Sequence, residues 1–151
     1  MADLHIDDFY RDVATTFLRL YAIFPRKTIL YVEDICGPDQ PDEFGLHHPR
    51  FQAGFSAMVW LAEHGYLNFQ EVIRAEALDQ AVLSRRGFLL LSSRSEAGLA
   101  EPVTTEGLPP SVAERTQTNI ALLRKVLREG SSIELQKAVS YLLSQPPLGG
   151  H

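Results

Sequence analysis

Apolar side chains at Phe9, Val13, Phe17, Leu20 and Phe24 recur at steps of three and four, the spacing that lines one face of an α-helix. The pattern predicts a helix over residues 4–24. Asp7, Asp8, Arg11, Asp12, Thr15 and Arg19 make its wet face, Asp7 or Asp3 caps its start, and Pro25 stops it. Residues 28–32 are β-branched and aromatic enough for a short strand, yet residues 32–35 also fit one helical turn, and the local pattern leaves both open. Two prolines, a glycine and three acids make residues 37–43 an exposed loop. Pro49 then suits the first position of a helix whose apolar residues are Phe51, Phe55, Met58, Val59 and Ala62, and which stops at His64-Gly65.

Residues 66–70 alternate apolar and polar, and residues 77–83 read as a return strand, with Arg74, Ala75 and Glu76 at the tip of the hairpin. Ser84 caps a short helix over 85–93, with Phe88 and Leu91 turned to the core. Two glycines, three prolines and several hydroxyl residues mark 95–110 as a linker. Two capping boxes follow, Ser111 with Glu114 and Ser131 with Glu134, each spaced so that hydroxyl and carboxylate satisfy each other's free amides. They predict a helical pair over 111–145 that breaks at Gly130 and ends before Pro146. Leu123 and Leu127 on one helix, with Leu135, Val139 and Leu142 on the other, give two apolar faces that either pack on the domain or form a dimer interface.

Composition limits the function classes. The chain has 151 residues, 45% of them hydrophobic, and 19 acidic against 14 basic side chains, which suits one compact domain or one domain with a small appendage. Its longest apolar runs fall far short of the roughly 20 residues a membrane helix needs. The acidic opening residues lack the charge pattern of a secretion signal, and a single cysteine, Cys36, forms no internal disulfide. These features lead to the expectation of a cytoplasmic protein.

The segment Trp60-Leu61-Ala62-Glu63-His64-Gly65-Tyr66-Leu67 closes a helix on a glycine-aromatic-aliphatic step into a strand. Residues Val82-Leu83-Ser84-Arg85-Arg86-Gly87-Phe88 then leave the second strand for a helix. With the element order of residues 4–93, these segments resemble the winged helix-turn-helix superfamily. The resemblance implies an α+β, mainly helical fold: a winged-helix domain over 1–94 with a wing sheet of two or three strands, the linker, the C-terminal helical pair and a tail over 146–151. It also implies a DNA-binding transcriptional regulator, with flanking helices joining a homodimer. Arg50, Gln52 and Ser56 on the second helix of the motif would then read base edges, while Arg74, Arg85 and Arg86 contact the backbone of double-stranded DNA. Arg26 and Lys27 are further candidates for phosphate contacts.

Charge distribution pulls the other way. Residues 1–48 hold nine acids and four bases, the expected recognition helix holds only Arg50 and Glu63, and the wing sets Glu71, Glu76 and Asp79 against Arg74. Phosphate binding by a small domain needs several cations on one face, so the alternative is a winged-helix module that binds another protein through apolar anchors.

Other candidate chemistry is sparse. Asp34, Cys36, His47, His48 and His64 lack the spacing of a zinc site, and they read as loop and helix-end residues. Flanking acids disfavour a Cys36 thiolate. Adjacent acids such as Asp7-Asp8 and Asp42-Glu43 diverge too far for an acid-base couple, and no glycine-rich phosphate loop occurs. Trp60, in a stripe with Phe55 and Val59, reads as core. No enzyme activity, cofactor, metal or membrane association is expected.

Overall fold

The first helix, α1 (Leu4–Ile23), is the post around which the chain is wound. The structure, a computed structural model, describes residues 4–95 and 117–146. Val13, Ala14, Phe17 and Leu20 are buried, as the stripe predicts, but so are Asp12 and Thr16. Asp12 was expected in water. It is buried because α1 is covered on several sides, by the second long helix, by the sheet and by the C-terminal helices. Since α1 already runs at Leu4, Asp7 lies in its first turn and does not cap it. There its charge still favours the positive end of the helix. Asp3 lies outside the described residues.

The segment after Pro25 takes both of the conformations left open, first β1 (Thr28–Tyr31) and then the one-turn α2 (Glu33–Cys36). The loop over 37–48 leads to α3 (Pro49–Glu63), which has Pro49 at its first position, a His48 cap and Gly65 at φ +83° just past its end. Three short strands follow: β2 (Leu67–Asn68), β3 (Glu71–Ile73) and β4 (Ala77–Leu83). All pairings are antiparallel. β1 lies along one edge of β4, and β2 and β3 pair with it on the hairpin side. With six helices among the described residues, the fold is α+β and mainly helical.

The strand expected over 66–70 is therefore interrupted, and the cause lies across the ladder. Thr28 faces Ala81 and Leu30 faces Leu78, so β4 carries one extra residue there, and Gln80 sits at φ +56°. Such a bulge twists its strand and interrupts the pairing. The hairpin tip falls where expected. Arg74 and Ala75 both have positive φ, and Glu76 N donates to Ile73 O at 2.8 Å, a type I′ geometry that usually takes Asn-Gly.

Ser84 caps α4 (Arg85–Ser92) by accepting from Gly87 N at 3.0 Å. The helical pair is α5 (Asn119–Glu129) and α6 (Ser132–Ser144). Ser131 caps α6, accepting from Glu134 N at 3.2 Å. α5 starts at Asn119 with Thr118 as its cap, in extended conformation and paired with Arg94, and the expected start at 111 lies outside the described residues. Most of the linker and the box at Ser111 and Glu114 lie outside the described residues. Leu123, Leu135, Val139 and Leu142 are buried in the same hydrophobic core as the N-terminal elements, and both helices pack on α1. The apolar faces expected to pack or dimerise thus pack within the chain. Tyr66 fastens this arrangement: its hydroxyl donates to Leu143 O at 3.2 Å, and its ring meets Phe17 edge to face at 5.8 Å.

Gly87 marks the tightest joint, where α4 leaves the sheet. A Cβ there would lie 2.2 Å from Tyr66 O, a backbone atom. Gly to Ala inside a helix normally stabilises by about 1 kcal/mol, but this overlap reverses the sign. Gly87→Ala is expected to destabilise by about 1–3 kcal/mol, seen as a lower urea midpoint at unchanged m-value.

Candidate interaction surface

Arg50 occupies the first turn of α3 on the side that faces α1. Its guanidinium donates to both Asp12 oxygens, at 2.8 and 2.6 Å, and Nε lies 3.4 Å from Asp8. The Asp12 side chain is 1% exposed. Burial pushes the Asp12 carboxyl above its ordinary value, and the Arg50 bonds bring it only part of the way back. Asp12 in turn holds the Arg50 guanidinium above its own ordinary value. The folded chain therefore binds the Asp12 proton more readily than the unfolded chain does. The contribution of this carboxyl to stability is greatest in acid and declines as pH rises through the folded value. The pair sets the position of α3 on α1 more than it adds to stability.

The other expected base readers are placed differently. Gln52 Nε2 donates to His47 O at 2.6 Å and closes the loop onto α3. Ser56 is exposed and borders an apolar groove between α1 and α3. Arg74 is exposed at the hairpin tip, and Arg85 is exposed at the start of α4, as are Arg26 and Lys27 beyond α1. Arg86 is engaged: it donates to His64 O at 2.8 Å and to the Tyr66 hydroxyl at 3.1 Å, with its guanidinium 4.4 Å above the Tyr66 ring. Of the six residues, Arg50 and Arg86 are engaged within the chain, while Gln52, Ser56, Arg74 and Arg85 are exposed.

The groove has a volume of about 250 Å³ and is walled by Ile6, Phe9, Ala53, Ala57 and Trp60. Trp60, expected in the core, is half-buried at its edge, meeting Phe9 edge to face at 5.3 Å and His64 at 4.1 Å.

The loop over 37–48 carries features that the sequence reading missed. Phe44 is 79% exposed and Leu46 61%, yet their backbone is braced. Asp42 Oδ1 accepts from both Phe44 N and Leu46 N at 2.9 Å, Asp42 N donates to Leu46 O, and Gly45 takes φ +78°. The adjacent His47 lies between two acids, with Nδ1 3.1 Å from Asp39 Oδ2 and Nε2 3.1 Å from Glu76 Oε1, and its ring stacks on Phe51 at 4.0 Å. A neutral imidazole has one donor, so both bonds require the imidazolium. Phe44-Gly45-Leu46 inside an acidic loop was the available signal. The ion pairs, spanning 8 and 29 positions, leave no local trace.

Among the described residues, no group of three or more His, Cys, Asp and Glu side chains is placed to hold a metal ion. His48 Nδ1 accepts from Arg50 N as the α3 cap, and burial pushes the half-buried Cys36 thiol up. No described helix is long and apolar enough to cross a membrane. Comparisons with protein-family models, curated proteins and solved structures found no match.

Two outcomes follow from these pairs. Arg50→Ala strands a buried carboxylate and is expected to cost about 3 kcal/mol, whereas Asp12→Leu with Arg50→Met should stay within about 1 kcal/mol of the parent. Denaturant titration of the three proteins distinguishes a positional pair from a stabilising one. The second outcome concerns pH. His47 is raised, chiefly by its bond to Glu76 and further by Asp39, while Asp39 is lowered, chiefly by the His48 N–H. The His47 contribution is full below its unfolded value and is lost as pH rises through the raised one. That of Asp39 is full above its unfolded value and is lost as pH falls through the lowered one. The loop is expected to be held best between these limits. NMR titration should show His47 ionising above the ordinary histidine value, loop amides moving with the same midpoint, and the midpoint falling in Glu76→Gln.

Proposed function

We propose that this chain is a protein-interaction module on a winged-helix-like frame. The order helix, strand, helix, helix, three hairpin strands, helix supports the frame. The observation that carries the functional reading is the closure of Arg50 onto Asp12. It leaves the outward side of α3 with Gln52, Phe55, Ser56, Val59 and Glu63, one acid and no base. Neutralising phosphates needs several cations on one face, and here Arg86 is turned to His64 and Tyr66. Arg74 and Arg85 are exposed, but Arg74 is surrounded in sequence by Glu71, Glu76 and Asp79.

Phe44 and Leu46 supply what a protein interface needs: large apolar anchors, presented by a backbone already held in shape, so that little ordering entropy is lost on docking. The acids that precede them, Asp39, Asp42 and Glu43, favour a partner whose apolar pocket has a basic rim.

Fluorescence anisotropy with duplex DNA is expected to show no saturation over the roughly 10⁻⁴–10⁻⁶ M range of non-specific binders. A protein partner retained by the parent chain should be lost by Phe44→Ser with Leu46→Ser at unchanged melting temperature. A salt-dependent DNA affinity that falls in Arg74→Ala would instead identify a regulator.

A further inference from the structure

We propose that the cavity where α4, α5 and α6 converge binds a small organic carboxylate with an apolar body, its charge held by Arg94 and Arg86. This does not rest on the interaction reading above, since the cavity and the anchor loop share no residues.

The cavity measures about 230 Å³, half again the roughly 150 Å³ that accepts benzene in a protein interior. A six-membered ring with one charged substituent fits that space. Leu90, Tyr141 and Pro146 form its apolar wall, Arg86, Arg94 and Asn119 its polar side, and none of its described lining residues is acidic.

Both arginines keep donors for a ligand. Arg86 is held in place by His64 O and Tyr66, yet those bonds use two of its five N–H groups. The Arg94 guanidinium makes no ion pair or hydrogen bond with any described residue. Its backbone is nonetheless fixed, because Arg94 bridges to Thr118, Ser95 N donates to Gln117 O at 2.7 Å, and Asn119 N donates to Ser93 O at 2.8 Å. A cation on an anchored backbone, with no anion beside it among the described residues, is available to one.

The helix ends do not reverse this. Asn119 opens α5, while α4 and α6 end beside the cavity. Each terminus contributes about half an elementary charge, and two C-termini against one N-terminus leave the two full guanidinium charges dominant. Asn119 is held at the cavity wall by its Nδ2, which donates to Leu90 O at 2.8 Å and has a second hydrogen.

A free phosphate would satisfy the arginines but not the apolar wall, and a neutral aromatic would do the reverse. The test therefore uses three probes on the full chain by calorimetric titration: benzoate, the uncharged benzamide, and inorganic phosphate. Benzoate is expected to bind saturably in the millimolar range or tighter and to raise the melting temperature. Benzamide and phosphate should bind at least about tenfold more weakly. Arg94 is exposed, so Arg94→Gln should fold normally and weaken benzoate by at least about fivefold. The Asn119 side-chain amide resonances should shift on binding. Absence of saturable benzoate binding, equal binding of either control probe, or an unchanged affinity in Arg94→Gln would overturn the proposal.

Discussion

A carboxylate with no access to water governs how this chain assembles. Asp12 sits near the middle of the one helix that most other elements touch, and a lone ion there would be costly beyond anything the surrounding packing returns. Arg50 answers it from the first turn of α3. Because a guanidinium fork meets a carboxylate in only a few geometries, the bond sets where along α1 the second helix crosses and how it is turned. The neighbouring features inherit that setting. With Arg50 turned to α1, His48 caps the same helix, Gln52 draws in the preceding loop, and Ser56 and Trp60 come to lie along the groove.

Much of the framework was legible because short-range rules governed it. The stripe from Phe9 to Phe24, Pro49 and Gly65 around α3, Ser84 and Ser131 as caps, and the hairpin tip at Arg74 are all encoded within a few residues of where they act. Asp12 misled because helical periodicity describes one face at a time, and α1 is covered on more than one. An acid at that position reads as solvated until its partner, 38 residues away, is known. The interrupted wing was hidden for a similar reason, since Gln80 fits an alternating strand and carries no glycine to announce a bulge. At the C-terminal pair, the cap at Thr118 was hidden in the same way. Thr118 caps the observed helix because its backbone is extended to meet Arg94.

The candidate site was less legible than the fold. Arginines that suit nucleic acid by type are engaged here by Asp12, His64 and Tyr66, and side-chain type alone does not reveal an internal partner. Phe44 and Leu46 drew no notice because a proline-rich acidic stretch reads as solvent loop. What distinguishes them is the bracing by Asp42 and the His47 bonds that join the loop to the sheet. These contacts make an otherwise ordinary loop a rigid platform, and they belong to tertiary structure.

The return of α5 and α6 onto α1 has a consequence for how the protein comes into being. The two helices that cover one flank of α1 leave the ribosome well after the post they enclose. Until they arrive, Val13, Phe17 and their neighbours lack part of their cover, so the nascent chain carries an exposed greasy strip until they emerge. The final collapse then closes a contact between residues more than a hundred positions apart, of the kind that slows folding.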